Sequence, residues 1–177
     1  NFTTVSTVNH IRGSLNTNNT SLTANIFQCN GDGIRSLTLG SSVINVSYTS
    51  YNPYAWQLSG PNLTFNAGTS TINLTGSTAY FGTDNRTYHD INFTSTSNAQ
   101  FYTSNSIFNN VSFAGNANIG GEASFNNLTL GTSTTNTISG TQTINGTFTC
   151  NGTCGVPASL SGGTINKISG TVNINYV

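Results

Sequence analysis

Four acids, four Lys/Arg cations and two histidines supply all the acid–base chemistry in 177 residues. The densest group is Asp84-Asn85-Arg86-Thr87-Tyr88-His89-Asp90. Such a segment is a candidate acid–base or metal site, but that chemistry needs groups converging on one point with shifted pKa values. Neighbours along a strand point to opposite faces, so the segment reads as a solvated corner ahead of a strand at 88–93. Asp32 and Glu122 lie far away in sequence. No catalytic residue, metal ligand or cofactor is therefore expected, and the chain reads as non-enzymatic.

Three cysteines remain. Cys150 and Cys154 flank Asn151-Gly152-Thr153, a turn signal that could bring them within bridging distance, which leaves Cys29 over. The alternative is a set of reduced, small, buried residues. Three thiols without a nearby histidine do not match zinc spacings. Aromatic side chains offer a binding chemistry instead. Tyr48, Tyr51, Tyr54 and Trp56 surround Asn52-Pro53, a turn, and aromatic faces on a neutral surface are what sugar rings stack on. The competing reading folds this loop over the protein with Trp56 buried. Asn-x-Ser/Thr acceptor sites for N-glycosylation occur at Asn45, Asn62, Asn73, Asn85, Asn92, Asn110, Asn127, Asn145 and Asn151.

The elements that must carry these residues are strands. Apolar residues make up only 34% of the chain and charged residues 5%, against about 45–50% and about 25% in ordinary globular domains. Thr, Asn, Ser and Gly fill more than half of it. Zero net charge and four cations argue against nucleic acid, whose binding runs on Lys and Arg. No apolar run approaches the ~18 residues of a membrane span. Order comes from repetition: Phe108-Asn109-Asn110-Val111-Ser112-Phe113 returns 17 residues later as Phe125-Asn126-Asn127-Leu128-Thr129-Leu130, with a looser copy at Tyr88 to Phe93. The fourth and sixth positions of each copy alternate as one buried strand face does. The preceding Asn pair suits a tight corner. The ends echo each other too, Phe27 to Gly33 resembling Phe148 to Cys154.

A repeat of this length with about three short strands predicts one coil of a parallel β-helix, residues 1–177 forming a single β-solenoid with coils of roughly 17–25 residues and Asn, Gly and Thr corners. Phe108 and Phe125 are expected in adjacent coils, both inward. The rival is an antiparallel β-sandwich, which gives no reason for a 17-residue echo.

The segments Trp56 to Gly60, Asn62 to Gly76, Tyr88 to Phe93, Ser106 to Phe113, Ser124 to Leu130, Ser139 to Phe148 and Ser169 to Val177 resemble the repetitive β-helical segments of large prokaryotic and viral surface proteins. The resemblance covers most of residues 27–177. It implies a parallel β-helix that is secreted or on a virion, usually within a longer chain, and carries no catalytic residues with it. The expected function is a structural or adhesive surface module: a filament, stalk, adhesin, coat, or virion fibre or decoration component. Its partners are expected to be copies of itself or neighbouring subunits, meeting end to end, because Phe2 to Val8 and Val172 to Val177 both read as uncapped strands. The alternative is a carbohydrate-binding module whose partner is a glycan held by Tyr48, Tyr51, Tyr54 and Trp56.

Overall fold

Period-two alternation of apolar with hydroxyl or amide side chains gives each short run one face to bury, and β-branched and aromatic residues suit that pleated surface. In a computed structural model, which describes residues 5–50 and 52–177, these runs stack as about 8 coils of a parallel β-solenoid. The first coil contains β1 (Val5–Asn9), β2 (Gly13–Asn16) and the opening half of β3 (Leu22–Cys29). The second takes the rest of β3, β4 (Arg35–Thr38) and β5 (Val43–Val46), and the third β6 (Trp56–Leu58), β7 (Leu63–Asn66) and β8 (Thr71–Leu74). Coil four is β9 (Tyr80–Asp84) and β10 (Thr87–Phe93). Coils five and six are single long strands bent round the corners, β11 (Ala99–Phe113) and β12 (Ala117–Thr129). Coil seven is β13 (Thr135–Ile144) with β14 (Phe148–Asn151), and coil eight β15 (Ser159–Lys167) with β16 (Val172–Asn175). Residues 2–4 of the expected N-terminal strand lie outside the described residues, and the rest of it begins β1.

The register defines three sides. The first runs through β1, the end of β3, β6 and β9 into the opening segments of β11, β12, β13 and β15. The second is a separate sheet, β2-β4-β7, followed by the middle of β11 and β12 and the ends of β13 and β15. The third carries β5, β8, the end of β10, β14 and β16. Every strand pairing is parallel, which excludes the sandwich; the antiparallel bridge between Thr153 and Val156 lies outside the strands. Phe108 pairs with Phe125, both fully inward, as the echo predicts. Coil length varies more than expected, from the 17 residues between Phe108 and Phe125 to the 29 between Phe27 and Trp56. The long interval accommodates the Tyr48 to Ala55 loop.

Inside, each side contributes a column. Phe27, Trp56, Phe81 and Phe101 stack along the first side, at centroid spacings of 4.4, 6.4 and 5.2 Å. Tyr88, Phe108 and Phe125 stack along the second at 5.2 and 5.5 Å. Ile44, Ile72, Ile91, Val111, Leu128 and Phe148 fill the third. A thin core suffices because neighbours above and below cover each inward residue. At the corner between the first and second sides the chain repeatedly enters the left-handed region, at Gly13, Gly60, Asn85, Asn105, Gly121 and Gly140. Gly121 shows why glycine recurs there: a Cβ would overlap the carbonyl oxygen of Thr103 on the coil below.

Candidate ligand-binding surface

Alternation decides the fate of the aromatic loop. In β6 it turns Trp56 and Leu58 inward, so Trp56 is fully buried, its indole Nε1–H donating to the Tyr88 hydroxyl at 3.4 Å. The expected role of Trp56 in stacking on a sugar is thereby overturned: both faces of its ring meet Phe27 and Phe81. Tyr51 lies outside the described residues. Tyr48 is half-buried and its hydroxyl points to the Asn52 carbonyl at 3.5 Å. Among the described residues of the loop, Tyr54 joins other aromatic rings at the surface.

Those rings come from residues that sequence reasoning missed. On the first side, the outward positions of β9 are Tyr80, Gly82 and Asp84, and those of β11 paired with them are Gln100, Tyr102 and Ser104. Tyr54 lies edge-on to Tyr80 at 5.9 Å and 88°, and Tyr80 stacks obliquely with Tyr102 at 6.5 Å and 23°. The row is seated on glycine. A Cβ on Gly82 would come within 2.9 Å of the Tyr54 ring, and one on Gly120 within 2.5 Å of the Tyr102 ring. Tyr102 also bridges two amides, donating to Gln100 Oε1 at 3.1 Å and accepting from Asn118 Nδ2 at 3.3 Å. Beside it opens a cleft of about 170 Å³ lined by Asn98, Gln100, Asn116, Asn118, Thr135 and Thr137. The available signal was Tyr80-Phe81 and Phe101-Tyr102, each a surface tyrosine next to an inward phenylalanine.

The acidic segment divides across a corner. Asp84 ends β9 on the first side, whereas Asp90 lies within β10. Asp90 Oδ1 receives Asn110 Nδ2 at 2.7 Å and Asn109 Nδ2 at 3.4 Å, and His89 Nδ1 is 3.1 Å away. This carboxylate starts a ladder: Asn127 Nδ2 donates to Asn110 Oδ1 at 2.8 Å, and the Thr147 N–H to Asn127 Oδ1 at 2.7 Å. A trough of about 540 Å³ runs alongside, lined by Phe65, His89, Ile107, Asn109, Asn126 and Asn145 among others. It forms where β7, the last strand of the small sheet, gives way to β10. Among the described residues no three His, Cys, Asp or Glu side chains group as metal ligands, and no helix is long and apolar enough to cross a membrane.

The cysteines do not pair in the structure. Cys150 faces inward on β14 and is fully buried, whereas Cys154 lies four residues on, exposed beyond the turn; both thiols and that of Cys29 are free. The expected Cys150–Cys154 bridge is not formed, because alternation commits Cys150 to the core. Burial pushes the Cys29 and Cys150 thiols up, that of Cys29 against the opposing pull of Arg35.

The glycan-acceptor asparagines fall into two groups. Asn73, Asn92, Asn110 and Asn127 donate their Nδ2 groups within coil-to-coil ladders, Asn73 to Asn45 at 2.9 Å and Asn92 to Asn73 at 3.1 Å. Asn62 donates to the Asp32 carbonyl at 2.8 Å. Asn85 and Asn145 are exposed, and Asn151 accepts from the Asn175 N–H at 3.1 Å. No protein-family model, curated protein or solved structure matches this chain, so what these surfaces do follows from their geometry.

Proposed function

We propose that the chain is a non-catalytic structural module of an extracellular, cell-surface or virion assembly, extended by stacking further coils on its ends. The observation that carries this is the uncovered third side of coil eight. Val172 and Ile174 stand in register with the buried Phe148 and Cys150, yet remain 50% and 46% exposed. Ile168, Tyr176 and Val177 of the same coil are exposed as well. At the opposite end Val5, Val8, Leu15 and Leu22 line an apolar hollow of about 220 Å³. Unpaired strand edges of this kind are templates for another strand, and a neutral surface offers little repulsion. The core thins before it stops, Gly162 facing Ile138 and Lys167 facing Ile144, so contact concentrates on the third side. A coil of a neighbouring subunit stacked there would complete that side. The dispersed acids support the absence of catalysis: Asp90 is held in an amide ladder, and Asp32 and Glu122 sit exposed on other coils.

Sedimentation velocity and negative-stain microscopy of the 177-residue chain test this. Assembly that rises with concentration is expected, and Val172→Lys/Ile174→Lys is expected to return it to monomers while the far-UV β-signal persists. A wild-type chain that stays monomeric at high concentration would refute the reading.

A further inference from the structure

We propose that the row Tyr54, Tyr80 and Tyr102, with the amide-lined cleft beside it, is a binding site for a neutral glycan chain. The site is separate from the end contacts of the structural role and stands without them. Its composition selects the ligand class. Half-buried aromatic rings supply apolar area at low entropic cost, since tyrosine has only two side-chain torsions to fix. Among the described residues the cleft lining carries no acidic or basic side chain, and the charge on this face of β9 is the acid Asp84 at its end, so an anionic polymer gains nothing there, whereas carbohydrate offers apolar ring faces and hydroxyls together.

The rings are also pre-placed. Tyr102 pairs in register with Gly82 on one side and Gly120 on the other. Glycine inside a strand weakens it and often marks a close approach; here the approach is that of Tyr54 on Gly82 and Tyr102 on Gly120. Tyr102 takes up Gln100 Oε1 and Asn118 Nδ2, which leaves the donor Gln100 Nε2 and the acceptor Asn118 Oδ1 over at the cleft, a pairing suited to vicinal hydroxyls. Asn98 and Asn116 extend the amides one corner further, joined at 3.0 Å. Adjacent strands lie about 4.8 Å apart, so from β9 to β13 the surface spans roughly 14 Å, enough for a short oligosaccharide lying across the coils.

Titration calorimetry on the folded chain tests the site. The probes are hexaoses of β-1,4-glucose, α-1,4-glucose and β-1,4-N-acetylglucosamine, with an oligogalacturonate as the anionic comparator. A neutral hexaose is expected to bind, with an affinity unchanged by added salt. Tyr80→Ala is expected to weaken it about tenfold, and Ile34→Ala, an exposed apolar residue outside both surfaces, to leave it unchanged. Because Tyr102→Ala uncovers Gly120 and could disturb folding, Gln100→Glu serves as the near-isosteric second variant, expected to weaken binding as well. Failure of every neutral hexaose to bind overturns the proposal. So does binding that survives both Tyr80→Ala and Gln100→Glu, or a change in sedimentation in those variants, which would mark a contact between copies instead.

Discussion

Substituting Gly121 by alanine probes the corner that makes this a solenoid. Gly121 has φ of 83° and its missing Cβ coincides with the carbonyl oxygen of Thr103. Gly155 has nearly the same torsion, 87°, with nothing within 4 Å. Left-handed torsion costs a residue with a Cβ about 1–2 kcal/mol, so Gly155→Ala is expected to lose about that much. Gly121→Ala carries the same term plus a backbone displacement, because a carbonyl in a sheet ladder cannot swing aside as a side-chain tip can. Forced overpacking adds about 1–3 kcal/mol, and the Thr103 hydroxyl bond to the Glu122 carbonyl, 2.9 Å, sits in the displaced pair. The sum is about 2–5 kcal/mol, against roughly 10–25 kcal/mol for a chain of this length at ordinary stability per residue. Urea unfolding followed by far-UV circular dichroism gives the totals. Amide hydrogen exchange then places the loss, expected first in β11 and β12, because solenoid stability is a sum of neighbour terms. Equal losses in the two variants would show that steric contact between coils does not govern the corner.

Two further outcomes follow from the buried thiols and the amide ladders. Burial raises Cys29, Cys150 and Tyr88 above their ordinary values, so the fold holds their neutral forms. Their stabilisation is complete below about pH 9 and is lost as pH rises beyond it, the unfolded chain ionising first. A denaturation midpoint that holds steady from pH 8 to 11 would contradict this, as would a native thiol titration that labels more than Cys154. In a host that attaches N-glycans, peptide mapping of the folded protein is expected to find sugar at Asn85 or Asn145 and none at Asn92, Asn110 or Asn127, whose Nδ2 groups are spent in ladders. A glycan on Asn92 in correctly folded material would show that its ladder is dispensable.

Much of the scaffold was legible because repetition writes coil register into the sequence. The echo of Phe108 in Phe125 gave parallel stacking and the inward face at once, whereas the pairs Asn109-Asn110 and Asn126-Asn127, expected to turn left-handed at tight corners, lie within β11 and β12 without positive φ. Coil length was less legible, since insertions such as the Tyr48 to Ala55 loop stay on the surface and leave the pairing of Phe27 with Trp56 intact. Arg35 was not legible at all. It is 1% exposed and donates to the Gly33 and Ser59 carbonyls at 3.0 and 3.2 Å and to Cys29 Sγ at 3.5 Å. Gly33 and Cys29 lie within six residues of it, and Ser59, on the next coil, joins them only once two coils are stacked.

The same limit explains why the aromatic loop pointed to Trp56, which the fold buries. Clustering along the sequence selects side chains in one coil, and alternation within a coil sends half of them inward, as it did Trp56. A surface in a solenoid is assembled across coils instead, from one outward position per strand, so its members lie a whole coil apart, 17 residues or more here. Tyr80 and Tyr102 are such a pair, one adjacent coil and two residues out of register with each other. The glycines that seat Tyr54 and Tyr102 belong to a neighbouring strand in each case. Surface chemistry in a fold of this kind is therefore read down the columns, once the register is known, and the columns here bring Tyr54, Tyr80 and Tyr102 into one row.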